Sequence, residues 1–291
     1  MLTKEKNMKY YILYNPLAGH GDHAEKNSIL KSYLDGESVE CDVTKINDYN
    51  EFISSLQPDD KLVLSGGDGT LNRFINSVDI DNISIDILYY ACGTGNDFLK
   101  DVGKEPGCAP FKINKYLKNL PTATINGKSY RFLNGIGFGI DGYCCEEGDK
   151  IRATGKNVDY TAIAIKGMLF HFKPRNAHVV VDGQEFDLKK AWIAPTMFGR
   201  FYGGGIMPAP KQDRLGDGRV SFAAFHSSGK LKTLMIFPQL FKGTHLKYTK
   251  YIKIIEATDV SVTFDRPCAL QVDGETFLNV TNYTVHANTK K

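Results

Sequence analysis

Two stretches of this sequence combine glycine, hydroxyl, amide and carboxylate groups at short spacing. They are Ser65-Gly66-Gly67-Asp68-Gly69-Thr70-Leu71-Asn72 and Cys92-Gly93-Thr94-Gly95-Asn96-Asp97-Phe98. Glycines let a ligand approach the backbone closely, and exposed N–H groups at a turn or helix start attract phosphate. Asp68 would repel a bare phosphate, so its chemistry would run through a metal ion or a hydroxyl. Taken alone, the first stretch is equally well explained as a glycine-rich turn with Asp68 as a helix cap. The second stretch shifts the balance, because the same residue types recur there after a second apolar run.

Each stretch needs an element to present it. Lys61 to Leu64 reads as a short buried strand before the first, and Ile87 to Ala91 as one before the second. A helix is expected from Thr70, since Leu71, Phe74, Ile75 and Val78 recur at helical spacing. Lys9 to Tyr14 reads as an earlier strand, ending in a third glycine-bearing loop, Asn15-Pro16-Leu17-Ala18-Gly19-His20-Gly21. A helix over His23 to Leu34 follows, with Ile29, Leu30, Tyr33 and Leu34 on one face, then a strand over Cys41 to Ile46. Asp48 to Leu56 reads as a helix capped by Asn47, and Phe111 to Leu120 as one with Phe111, Ile113, Tyr116 and Leu117 inward, stopped by Pro121. Repeated strand–loop–helix order predicts a parallel sheet with helices on both sides. In such a sheet the strand C-termini share one edge, where ligands bind, so Asp68 and Asp97 should lie near one another.

After Thr122 the pattern changes to short strands. They include Tyr130 to Leu133, His178 to Val181, Ala191 to Ala194, Val220 to Phe225, Tyr251 to Glu256 and Val260 to Phe264, with Asn126-Gly127 and Asp182-Gly183 as hairpin turns. Two helix-like stretches, Val158 to Phe172 and Lys230 to Phe241, interrupt them. The expected fold is thus α/β plus β: an N-terminal parallel α/β domain over 8–121 and a C-terminal β-sandwich domain over 122–291 with inserted helices. Whether Tyr283 to His286 crosses back to the first domain is left open. Three acid-bearing segments stand out in the second domain. Asn134 to Asp141 is glycine-rich, which suits a bulged or closely packed strand with Asp141 at its exposed end. Lys211 to Gly218 holds Asp213 and Asp217 in what reads as a solvated loop, and Asp273-Gly274-Glu275 reads as a hairpin turn.

Composition excludes several classes. A 42% hydrophobic content suits a globular protein with a real core. A net charge of +3 is too small to argue for nucleic acid. Met1 to Tyr10 is polar, so no signal peptide is expected, and no apolar run reaches the roughly 18 residues of a spanning helix. The six cysteines contain no C-x-x-C, which fits reduced thiols in a cytosolic protein. No Walker loop, protein-kinase signature or zinc spacing is present.

The pair Gly66-Gly67-Asp68-Gly69-Thr70 and Gly93-Thr94-Gly95-Asn96-Asp97-Phe98 resembles the signature loops of the diacylglycerol kinase catalytic domain family, shared by bacterial lipid kinases and sphingosine kinases. The first loop is shared more distantly with NAD kinases; the second points away from them. The resemblance implies a nucleotide site made of Asn15, Pro16, Gly19, Gly21, Thr44, Gly66, Gly67, Asp68, Gly69, Thr70, Asn72, Gly93, Thr94, Gly95 and Asn96, with Ala18 where the family often has Ser. It implies Mg²⁺ near Asp68, Asp97 and Glu275, and a structural Mg²⁺ held by the Asp217 carboxylate and the carbonyls of Arg214 and Arg219. Asp141 would line the acceptor pocket. Asp273 is assigned as the base at the domain cleft, with Glu275 as rival and Asp68 as a third choice.

By this resemblance the protein is expected to be an ATP- and Mg²⁺-dependent lipid kinase, cytoplasmic and peripheral to the inner face of the membrane. Diacylglycerol is the leading acceptor, with phosphatidylglycerol or a sphingoid base as runner-up. A nucleotide-binding regulator without activity would have lost a motif carboxylate, and all are present. Its partner is a lipid at the membrane surface and not nucleic acid; a homodimer is left open. Val158 to Phe172 reads either as a core helix or as a basic-flanked helix that dips into an anionic surface, with Phe241 to Tyr251 acting beside it.

Overall fold

The computed structural model describes residues 8–16, 23–93 and 95–289. The chain divides into two compact units, Met1–Lys118 and Asn119–Lys291. The first unit runs β1 (Lys9–Tyr14), α1 (His23–Lys31), β2 (Glu37–Asp42), α2 (Tyr49–Ser54), β3 (Lys61–Gly66), α3 (Asp68–Ser77), β4 (Asp86–Ala91), α4 (Asp97–Asp101) and β5 (Phe111–Lys112). Its sheet has the order β2-β1-β3-β4-β5. The first four strands are parallel and β5 is antiparallel to β4. The central strands are apolar runs because helices cover both faces of a parallel sheet; Ile12, Leu62 and Val63 are wholly buried.

Several expected boundaries move for local reasons. Strand β2 ends at Asp42, whose carboxylate accepts from the Thr44 N–H and hydroxyl and so closes a 3₁₀ turn over Val43–Lys45. Helix α2 is capped by Asp48, which accepts from Asn50 and Glu51, rather than by Asn47. Helix α1 ends at Lys31, short of the expected Leu34, and only part of the expected face is inward: Leu30 is buried, while Ile29 and, beyond the helix, Tyr33 are exposed. The stretch from Phe111 to Leu120 is not a helix. Phe111 and Lys112 pair with β4, and a 3₁₀ turn follows at Asn114–Tyr116. The Asn114 side chain bonds the Ile87 N–H and the Ile85 carbonyl, fixing that turn to the sheet. Ile113 and Leu117 are nonetheless buried.

The second unit contains β6 (Thr122–Ile125), β7 (Lys128–Arg131), β8 (Gly135–Gly139), α5 (Ile140–Arg152), α6 (Tyr160–Lys166), β9 (Arg175–Val181), β10 (Gln184–Ala191), β11 (Ile193–Met197), β12 (Val220–Phe225), α7 (Lys230–Phe241), β13 (Ile252–Ala257), β14 (Asp259–Val272) and β15 (Glu275–His286). All its pairings are antiparallel, in the order β13-β12-β11-β8-β14-β15-β6-β7, with β9 and β10 joined through β14. The long β14 takes β9 as neighbour over Val260 to Phe264 and β8 over Leu270 to Val272, so one strand serves both parts of a sandwich-like sheet. Asn126-Gly127 and Asp182-Gly183 adopt the left-handed φ angles of tight hairpin turns. Tyr283 to His286 pair with Thr122 to Ile125, within this unit. The stretch over 158–172 is α6 followed by a single π-helical turn at Gly167–His171.

Helix α5 was not foreseen, and its buried face explains why. Gly142, Cys144 and Gly148 are inward there, so small residues stand where a periodic apolar stripe would. A Cβ on Gly142 would come within 2.1 Å of the Ala269 carbonyl oxygen in β14. Gly142→Ala should therefore destabilise the protein by about 1–3 kcal/mol despite its better helix propensity. A fall in the urea midpoint checks this; an unchanged or raised midpoint would show that α5 can move off β14.

Candidate active site

Strands β1, β3 and β4 are in parallel register, with Tyr14 opposite Ser65 and Gly66 opposite Ala91. The loops after them therefore leave one sheet edge side by side. Asn15 and Pro16 follow β1, while Gly19, Gly21 and Thr94 lie outside the described residues. Thr44 follows β2 on the same edge, beyond β1, and its hydroxyl is bonded to Asp42.

The loops after β3 and β4 touch backbone to backbone. The Cys92 N–H donates to the Gly66 carbonyl at 2.9 Å. A Cβ on Gly93 would come 2.5 Å from the Gly67 Cα, so neither loop could pack this way with a side chain there. Asp68 locks the pair. Its Oδ2 accepts from the Asp97 N–H and its Oδ1 from the Phe98 N–H, each at 2.9 Å. The expected closeness of Asp68 and Asp97 is thus observed, and Asp68 is indeed a cap, but of the helix that follows the other loop. Thr70 folds back over Gly66, where a Cβ would lie 2.1 Å from its hydroxyl. Gly69 sits in the first turn of α3, and Asn72 is buried one turn further on. Asn96 adopts a left-handed φ of 49° and donates to the Gly93 carbonyl at 2.7 Å. One contributor was missed from sequence: Lys26 in α1 reaches the Cys92 carbonyl at 3.4 Å, bringing an ammonium to this edge. Its only sequence signal was its place in the helix after the third glycine loop.

In the second unit Asp273 and Gly274 form the tight turn between β14 and β15, with φ of 48° and 91°. The Asp273 carboxylate accepts three backbone N–H bonds: from Leu133 at 2.6 Å, Asn134 at 2.8 Å and Gly135 at 2.9 Å. The turn is thereby stapled to the start of β8. Glu275 opens β15 and is exposed. Asp141 is not at an exposed strand end, as its position suggested; it lies in the first turn of α5 and is buried. Its two carboxylate oxygens, the Tyr202 hydroxyl and the Gln271 amide nitrogen are buried without a formed hydrogen bond among the described residues. Burial pushes the Asp141 carboxyl up to about 6, against the pull of the Gly142 and Asp141 amides, the Tyr202 hydroxyl and the Gln271 side chain, which lie near enough to act through space.

The loop at 211–219 is held by its own groups. Asp213 accepts from the Leu215 N–H at 2.9 Å, and Asp217 from the Arg219 N–H at 3.0 Å. The Arg219 carbonyl accepts from Gln212 at 2.8 Å, and the buried Arg214 guanidinium donates to Asn134 at 3.1 Å. Among the described residues no group of three or more His, Cys, Asp or Glu side chains gathers as metal ligands.

Residues 9–125 match the profile of the diacylglycerol kinase catalytic domain, and residues 134–286 that of the YegS C-terminal NAD kinase beta sandwich-like domain. The chain belongs to the diacylglycerol kinase catalytic domain family. It is accordingly an ATP-dependent lipid kinase. The kinase is 26% identical over 260 residues to a diacylglycerol kinase of Mycobacterium tuberculosis, spanning 84% of this chain and 82% of that one. Its fold matches the crystal structure of a diacylglycerol kinase from Bacillus anthracis, with a TM-score of 0.65 and 21% identity over 98% of this chain and 96% of the other.

Two predictions follow from these bonds. In Asp68→Asn the amide keeps one acceptor and turns an NH₂ toward the second N–H donor. The cost should be about 1–3 kcal/mol, read as a lower melting temperature; an unchanged melt would mean that Asp68 does not hold the two loops together. The second concerns pH. A carboxyl in the unfolded chain titrates near 4, so between about pH 4 and 6 folded Asp141 holds a proton that the unfolded chain has lost. Its contribution to stability is fullest below that range, falls as pH rises through it, and is level above. Relative to Asp141→Asn, the wild type should lose on the order of 2–3 kcal/mol across this window. Urea titrations of both proteins at several pH values check it, and parallel pH curves would rule out a raised Asp141.

Proposed function

We propose that this kinase transfers the γ-phosphoryl group of ATP to the free hydroxyl of diacylglycerol, giving phosphatidic acid and ADP. The observation that carries the reading is the clasp of the two glycine loops by Asp68. It presents backbone, amide and carboxylate groups at one sheet edge, with the Lys26 ammonium beside them. Such a constellation suits a polyphosphate and a hard cation. Mg²⁺ bound by Asp68 and Asp97, directly or through water, would offset the charge on the phosphates, and Glu275 is a separate candidate for holding metal. Backbone of the loops at Gly66 to Thr70 and Gly93 to Asn96, with Asn15, Pro16, Thr44 and Asn72, would bind the nucleotide.

The acceptor oxygen attacks the γ-phosphorus, the bond to the bridging oxygen of ADP breaks, and the hydroxyl proton passes to a carboxylate. By the family resemblance Asp273 is the first choice for that base; three N–H donors fix its carboxylate in one orientation, at a cost in basicity. Glu275 is the rival. Asp68 comes third by the family resemblance; its oxygens, like those of Asp273, already accept backbone N–H groups. Asp141, Tyr202 and Gln271 bring buried polar atoms together without a formed bond, which supports a polar acceptor group as their partner. No helix among the described residues is long and apolar enough to cross a membrane, and we take the enzyme to work from the cytoplasmic face on lipid embedded there.

The test is phosphorylation of a total lipid extract with labelled ATP, the product being identified by mass. Labelled phosphatidic acid is expected. Label in phosphatidylglycerol or a sphingoid base would replace the acceptor, and label only in water-soluble alcohols would end the lipid assignment. Asp273→Ala should lower turnover by about 10²–10⁴-fold with ATP affinity kept within a few fold. Glu275→Ala should be partly rescued by raised Mg²⁺; the reverse pattern would exchange the two roles.

A further inference from the structure

Arg214 lies in the loop between β11 and β12, yet it is 7% exposed, and among the described residues no other lysine or arginine is buried. A guanidinium drawn out of water needs partners that offset its desolvation. One is Asn134, whose side-chain oxygen accepts from Arg214 Nη2 at 3.1 Å. The guanidinium carbon lies 6.0 Å from the centre of the Phe198 ring. Asn134 in turn joins three segments. Its carbonyl accepts the Phe198 and Gly199 N–H groups at 2.9 and 3.0 Å, just past the end of β11. Its own N–H donates to Asp273 Oδ1 at 2.8 Å. One residue thus separates the buried cation from the carboxylate assigned as base.

Packing alone does not call for an arginine here. Exchanging a buried ion and its partners for apolar side chains of similar volume is often neutral or stabilising. A planar donor of fixed charge adds direction instead. It holds the Asn134 side chain, and with it the 133–135 segment whose three N–H groups orient Asp273. The family resemblance places a Mg²⁺ in this loop, but the atoms it would use do not fit one. Asp217 accepts the Arg219 N–H at 3.0 Å with one oxygen and faces Arg219 Nε at 3.4 Å with the other. The Arg219 carbonyl accepts from the Gln212 amide, whose own oxygen accepts from the Ser221 hydroxyl at 2.6 Å. A hard cation there would displace these hydrogens and lie against the Arg219 guanidinium.

We propose that Arg214 is a positioning residue for phosphoryl transfer. Through Asn134 it holds residues 133–135, and so the Asp273 carboxylate, in place, and it does so without a divalent ion in its own loop. The proposal rests on the reading of Asp273 as base for its catalytic half; its geometric half is tested separately.

The experiment compares Arg214→Gln and Arg214→Lys in the full chain, each with Asp273 intact or as Asp273→Ala. Amide hydrogen exchange followed by NMR reads the geometry. In Arg214→Gln the Leu133, Asn134 and Gly135 N–H groups should exchange about tenfold faster, and added Mg²⁺ should not slow them again. With diacylglycerol as acceptor, Arg214→Gln should lower kcat by about 10–100-fold while KM for ATP moves by less than about threefold. In the Asp273→Ala background the same substitution should cost less than about twofold, because the group it positions is gone. An arginine that only supports the fold would cost the same in both backgrounds. Arg214→Lys keeps the charge and is the safer variant for folding; it should show the same changes at a few-fold size. Wild-type exchange at residues 133–135, its recovery by Mg²⁺, or an equal loss of turnover in both backgrounds would overturn the proposal. If Asp273→Ala alone kept wild-type turnover, the base assignment would fall and the catalytic half with it, while faster exchange in Arg214→Gln would still stand for the geometric half.

Discussion

The carboxylate of Asp68 does for the first unit what a covalent tie would do. By accepting the N–H groups of Asp97 and Phe98 it satisfies the start of α4 and fixes the spacing of two loops that leave neighbouring strands. Buried N–H groups without acceptors are costly, so these loops hold this shape only with an acceptor at position 68. The second unit repeats the device. Asp273 takes up three consecutive N–H groups and so sets the distance between a hairpin tip and the strand β8. In both places the acid that the motif advertises as chemical is also the acid that builds the loop. Its loss would be felt as altered geometry before any step of a reaction.

Close backbone approach is the second recurring constraint. Gly67 meets Gly93 in the first unit, Gly139 lies where a Cβ would fall 2.3 Å from the Trp192 carbonyl oxygen, and Gly142 presses on β14. Each contact brings two main chains nearer than any side chain permits. The glycines of 134–142 are therefore explained by packing against β11 and β14, and the acid at their end, Asp141, is carried inward by the same packing.

Much of this was legible from local pattern. Strands β1 and β12 and helix α7 follow their apolar spacing to the residue, because each draws its burial from its own periodicity. The parallel sheet was legible too, and with it the meeting of Asp68 and Asp97, since parallel strands leave their loops on one edge. What could not be read depends on partners distant in sequence. Phe111 and Lys112 look helical alone but are strand because β4 offers a free edge. α5 hides because its inward face is glycine and cysteine. The partners that bury Asp141 include Gln271 and Tyr202, far along the chain, and nothing near position 141 announces them. Lys26 escaped for the same reason: its role depends on where Cys92 lies.

The pairing of β6 with β15 bears on how the chain is made. β6 is the first strand of its unit, yet its partners Tyr283 to His286 come from the far end of the fold. On the ribosome, β6 and β7 emerge as a two-stranded hairpin, a unit of marginal stability in water. They must then wait roughly 10–30 s of synthesis for the strand that completes the sheet. The first unit has no such delay, because its last strand, β5, ends at Lys112. Folding during translation should therefore be staggered. A finished first unit would hang from the exit tunnel while the edge of β6 stays open to chaperones, or to the β6 of a neighbouring nascent chain.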